Sequence, residues 1–115
     1  MLRRIKKLDD AERFARESIK KNPDLYVAWE TLGAILLEAG KSLDEAESAV
    51  NKALTLYKDD PRIKITLARI QHRRGSIEKA RETLSQVKAE QSKLTEFDLD
   101  VMKRLNADLS KPRGK

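Results

Sequence analysis

Few side chains in this sequence could carry out a reaction, and their types and spacing complete no catalytic set. His72 is the single histidine and cysteine is absent, so a nucleophile–histidine pair and a thiolate–imidazole zinc site both lack their parts. Two carboxylate pairs, Asp9-Asp10 and Asp59-Asp60, could in principle ligate a metal. Both read more simply as helix starts, where acidic side chains complement the positive end of the dipole. The four glycines lie far apart, which leaves no Gly-rich loop to cradle a phosphate. His72 is expected as an exposed or groove-facing helix residue. The chain does not read as an enzyme, and no catalytic residue, cofactor or metal is expected.

Binding chemistry is better represented. Arg62, Lys64, Arg69, His72, Arg73 and Arg74 form a basic cluster, and Arg62, Arg69 and Arg73 are seven and four residues apart. On a helix those three share one stripe, and guanidinium forks hold carboxylates bidentately. The competing reading is a solvated face. Net charge is +6, but it is banded: residues 1–21 carry eight basic and four acidic side chains, and residues 22–60 carry three and eight. Residues 61–75 carry five basic and no acidic side chains, and the remaining forty residues carry nine and seven. Such banding favours attraction between unlike surfaces, including those of two copies of the chain.

The elements that must position these residues are helices. Charged residues make up 38% of the chain and aromatic residues 4%, while Gly and Pro are scarce and strong helix formers dominate. Asp24 is expected to cap a helix from Leu25 to Ala39, with Gly40 as its stop. Ser42 and Glu45 read as a capping box for a helix from Leu43 to about Tyr57. Asp60-Pro61 reads as a cap followed by proline at the first helical position, and Gly75-Ser76 as the end of that helix and the cap of the next, Ile77 to about Ala89. Thr95 with Asp98 opens a last helix to about Leu109. Its apolar stripe is Phe97, Val101, Met102, Leu105 and Leu109, with polar residues on the far side, as an end helix requires. Residues 110–115 are expected to be a frayed tail.

A period underlies these elements. Ala28 to Gly40 (AWETLGAILLEAG) aligns with Lys64 to Gly75 (KITLARIQHRRG) at an offset of 35 residues. The following stretches, LDEAESAVNKAL and IEKARETLSQV, place Ala46 on Ala80 at an offset of 34. Leu8 to Asp24 repeats the second stretch, with Ala11 equivalent to Ala46. The pattern resembles the tetratricopeptide repeat family. Its packing positions fall on Trp29, Leu32, Gly33, Leu36, Gly40, Ala46, Val50 and Ala53 in the first full copy. The preceding half copy supplies Ala11, Ala15, Ser18 and Asn22-Pro23. The second copy keeps Leu67, Ala68, Gly75, Ala80, Leu84 and Val87, but departs at Lys64 and Gln71, which predicts a looser first helix there. Small residues at Gly33 or Ala68 opposite Ala46 or Ala80 let two antiparallel helices approach closely.

The resemblance implies an all-α solenoid of antiparallel helix pairs with a right-handed superhelical course. The expected division is an N-terminal helix over 1–21, repeats over 22–60 and 61–94, a capping helix over 95–109 and the tail. It also implies a concave groove lined by first helices, with Val27, Glu30, Ala34, Leu37 and Glu38 from one copy and Arg62, Ile65, Arg69, His72 and Arg73 from the next. The implied function is a non-enzymatic scaffold that binds a partner peptide or helix there, with an acidic ligand at the arginine end. Some family members clamp the C-terminal carboxylate of chaperones with Lys and Asn on first helices. The corresponding places here read Glu30 and Ala34, with Thr66 where an Arg is wanted, so that clamp is not expected.

Self-association is the alternative function, since the half repeat at the N-terminus leaves an apolar edge that a second copy could cover in a homodimer. That end either begins inside a repeat or opens with one long helix through Leu2, Ile5, Leu8, Ala11 and Ala15. RNA binding is a weaker third reading, because base recognition draws on stacking aromatics and only Tyr26, Trp29 and Tyr57 are candidates. No apolar run approaches the roughly 20 residues that a membrane span needs. The compartment is open, with the cytoplasm the expectation.

Overall fold

A computed structural model describes residues 2–58, 60–88 and 96–109, with side chains for 7–58, 60–87 and 96–109. The described residues form six helices and no strand: α1 (Leu2–Lys21), α2 (Tyr26–Ala39), α3 (Leu43–Leu56), α4 (Pro61–Arg73), α5 (Ile77–Lys88) and α6 (Glu96–Leu109). The expected cap at Thr95, the helix end at Ala89, the residue Asp59 and the tail 110–115 lie outside the described residues.

Three boundaries follow their local chemistry. Gly40 takes the left-handed conformation at φ 69°, and Lys41 N–H turns back to Leu36 O at 3.2 Å. Gly75, at φ 85°, does the same after α4, where Ser76 N–H donates to Gln71 O at 2.8 Å. Asp60 accepts the Arg62 N–H at 3.0 Å, and Pro61 fills the first position of α4.

Three others differ from the sequence reading. The N-cap of α2 is Leu25, and Asp24 instead donates its N–H to Asn22 Oδ1 at 3.2 Å in a local turn. Ser42 adopts φ 50° and ψ 48° and makes no side-chain cap bond. Its expected partner, Glu45, is held by both terminal nitrogens of Arg16 on α1, at 2.7 and 3.0 Å. A bidentate charged pair outcompetes one bond to a neutral N–H. Asp9 and Asp10 start no helix, because α1 runs unbroken from Leu2. Asp10 pairs with Arg13 at 3.1 Å, and Asp9 lies 3.9 Å from Lys41 Nζ.

Each helix packs on its neighbours in sequence, and α4 also contacts α2 and α6. α2 and α3 approach closely at Gly33, where an added Cβ would overlap Val50 Cγ2 and lie 3.0 Å from Ala46 O. Two apolar clusters result. Leu32, Leu36, Ala46, Val50 and Ala53 centre the first, and Ala80, Leu84, Val87, Met102, Leu105 and Leu109 dominate the second. α4 serves both, sending Ile63, Leu67 and Ile70 into the first and Ile65 and Ala68 into the second.

The looser second first-helix expected from Lys64 and Gln71 is therefore not found. Eight of the thirteen residues of α4 are buried, because it is covered by one helix pair on each side. Gln71 is accommodated by a hydrogen bond from Thr83 Oγ1 on α5, 2.8 Å long and buried. The first copy has Leu36 and Ala49 at the same two places, so an apolar contact has been exchanged for a satisfied polar one.

The 35-residue step also continues into α6, which starts 35 residues after Pro61 and packs on α4 and α5. α6 thus occupies the place of a third first-helix. A recurrent tie marks the same geometry three times. Glu12 meets Lys41 just beyond the end of α2 at 3.0 Å, and the equivalent Glu47 meets Arg74 beyond α4 at 2.6 Å. Arg81 stands at the third equivalent place, and its guanidinium donates to the terminal α6 carbonyl of Leu109 at 2.7 Å. The sign of the side chain has reversed, which suits the negative end of a helix. Of the end-helix stripe, Met102, Leu105 and Leu109 are buried and Val101 is half-buried, while Phe97 is 75% exposed and outside the core.

Candidate functional site

Because α2, α4 and α6 are the three first-helices in this arrangement, they lie side by side and bound a groove. It holds two adjoining hollows. The first, of about 270 Å³, is lined by Tyr26, Val27, Glu30, Asp60, Arg62, Ile63, Ile65, Thr66, Arg69, Phe97, Asp98 and Val101. The second, of about 400 Å³, is lined by Leu37, Arg69, His72, Arg73, Phe97, Val101, Arg104, Leu105 and Asp108. Arg69, Phe97 and Val101 belong to both and form the ridge between them.

All eight candidate residues line this groove, but in unequal ways. Val27, Glu30, Arg62 and Ile65 lie in the first hollow, Leu37, His72 and Arg73 in the second, and Arg69 on the ridge. Leu37 and Ile65 are only 2% and 4% exposed. They make the floor and are committed to the two cores, so little of either is left for a ligand to touch. Val27 is half-exposed, and Glu30, Arg69 and His72 are half-buried. Ala34 and Glu38, implied by the resemblance, line neither hollow.

The arginine stripe is divided by its surroundings. Arg62 turns to Asp60, with Nε 3.5 Å from Oδ1, and the charge of that carboxylate, more than any other neighbour, raises the guanidinium pKa. Arg73 lies against Gly40: its Nη2 would be 3.4 Å from a Cβ at that glycine. A cation there sits beside the negative end of α2.

Glu30 is the unusual carboxylate. Burial pushes its pKa upward, the hydrogen bond from Thr66 opposes that, and the Asp60 charge adds to the rise. Thr66 Oγ1 donates to Glu30 at 3.0 Å and also lies 3.3 Å from Arg62 O. The two helices are thereby joined at the floor of the first hollow. Among the described residues no group of His, Cys, Asp or Glu is arranged to hold a metal ion. No helix among them is long and apolar enough to cross a membrane.

The contribution of α6 is missing from the candidate set: Phe97, Asp98, Val101, Arg104, Leu105 and Asp108. A signal for it existed. Phe97, Arg104 and Asp108 stand 35 residues after Arg62, Arg69 and Arg73, so the repeat offset carried one step further reaches the third wall.

The arrangement is that of an α-helical repeat protein, with paired helices stacked in order and first helices lining one side. Residues 41–97 match the tetratricopeptide repeat family, and the six helices fit its arrangement. Members of this family generally mediate protein–protein interactions and are typically non-enzymatic. Comparison with the curated proteins gives no significant match.

Proposed function

We propose that this chain is a non-enzymatic interaction module that holds an extended segment of a protein partner in the groove between α2, α4 and α6. The observation that carries this reading is the pair of adjoining hollows with arginines above an apolar floor. Apolar side chains of a ligand would settle over Val101 and the exposed Phe97 ring, while its carboxylates meet Arg69 and Arg73. The lining residues of the groove come from α2, α4 and α6, with Asp60 at the start of α4.

Affinity for an acidic, leucine-containing peptide, measured by fluorescence polarisation, tests the reading. Arg69→Glu and Arg73→Glu together are expected to weaken binding about tenfold or more, because each puts a like charge against the ligand. Unchanged affinity would remove the arginines from the site.

A second reading is self-association through α1, where Phe14 is 72% exposed. Sedimentation of the wild type and Phe14→Ser at matched concentrations decides it. A monomer in both cases ends this reading.

A further inference from the structure

The two hollows differ in charge. In the first, the carboxylates of Glu30, Asp60 and Asp98 outnumber the cations. In the second, Arg69, Arg73 and Arg104 line the wall with one carboxylate, Asp108, although Arg104 also pairs with Asp100 at 3.1 Å. We infer that the groove is bipolar, and that its occupant is an extended protein segment bearing a basic side chain for the first hollow and, about three residues away, a carboxylate for the second.

The spacing comes from α4 itself. Thr66, which holds Glu30, is seven residues from Arg73, or about 10 Å along the helix axis at ~1.5 Å per residue. An extended chain covers that distance in about three residues at ~3.3 Å each. Phe97, exposed on the ridge between the two places, would pack against whatever side chain lies in between.

Charge complementarity favours this occupant over a uniformly acidic one. Glu30 is half-buried and already close to Asp60. A ligand carboxylate in the first hollow would add a further like charge to a desolvated place. A Lys or Arg there would instead meet Glu30, with the Tyr26 and Phe97 rings as apolar and cation–π neighbours for its stem and head. Asp60 contributes less than its position suggests, since it caps α4 and pairs with Arg62.

This inference rests on the groove reading, and one selection separates the two. A displayed library of random heptapeptides is selected on the immobilised full chain, and the enriched peptides are measured against Glu30→Gln and Arg73→Gln. The expected result is enrichment of a Lys or Arg about three positions from an Asp or Glu, with each variant weakening those peptides at least ~5-fold. Glu30→Gln keeps an acceptor for Thr66, so its effect reports charge and not a disrupted fold. Enrichment of acidic residues alone, weakened by Arg73→Gln and indifferent to Glu30→Gln, overturns the bipolar groove and leaves the groove reading standing. Peptides insensitive to both variants, or no enrichment, overturn both.

Discussion

The two helix pairs solve one packing problem with different side chains. In α2–α3 the contact is closed by Gly33 against Val50 and by Leu36, which is fully buried. In α4–α5 the equivalent places hold Ala68 and Gln71, and the glutamine is matched by Thr83 across the interface. A repeat position thus specifies a volume and a satisfied partner list, and either an apolar or a hydrogen-bonded pair meets it. The polar pair carries a liability that the apolar one does not, because its halves depend on each other.

The largest test of that contrast removes volume. Leu36→Ala should cost about 2–5 kcal/mol in chemical denaturation, the range for deleting a fully buried leucine. A loss below about 1 kcal/mol would mean that α2–α3 closes over the gap. The next test works on dependence. Thr83→Ala takes from the buried Gln71 carbonyl the bond that it accepts, and about 1–3 kcal/mol should be lost. Gln71→Leu alone should cost less, because Lys79 O, 2.9 Å from Thr83 Oγ1, is an alternative acceptor to which the hydroxyl can turn. Combining Gln71→Leu with Thr83→Ala installs the first pair's chemistry in the second, and should recover most of the Thr83→Ala loss. A double variant as poor as Thr83→Ala would show that the hydrogen bond is not what the second pair relies on.

The smallest test concerns the ions outside these contacts. The bond from Lys41 first, and Arg16 as well, lower the Glu12 pKa, and Arg16 lowers that of Glu45, both from 4.5. Their folded values lie below their unfolded ones, so this stability is present above about pH 4.5 and is lost as pH falls through the folded values. Arg16 and Glu45 are 44% and 41% exposed, and solvent screening keeps the effect small. Arg16→Ala should cost about 0.2–1 kcal/mol at neutral pH and nothing once both carboxylates are protonated. An equal loss at acidic pH would assign the effect to the packing of the arginine stem. Glu30 runs the other way: its raised pKa makes stability fall as pH rises through the interval above 4.5. The groove and the α1–α3 interface therefore pull the pH profile in opposite directions.

What the sequence made legible was whatever depends on near neighbours or on the period. Gly40, Asp60-Pro61 and Gly75 act through bonds within a turn, and each does so here. Gly33, Ala46 and Val50 are set by the repeat, and they meet as the period requires. Ser42 and Glu45 failed as a local motif because Arg16, 29 residues before Glu45, reaches the same carboxylate with two bonds. The candidate groove was legible along α2 and α4. Burial of Leu37 and Ile65 was not, since it depends on how two cores divide a helix between them. The α6 wall went unseen because its apolar residues do not spell the repeat, although their spacing keeps it.

Lys103 sets how closely a further helix could lie on α6. It stands 35 residues after Ala68 and 70 after Gly33, at the place where each earlier first-helix admits its own partner helix, and it is exposed. An ammonium group at the point of closest approach cannot be covered by another helix without losing its water. A helix lying on α6 as closely as α3 lies on α2 at Gly33 would therefore call for a glycine or alanine at position 103.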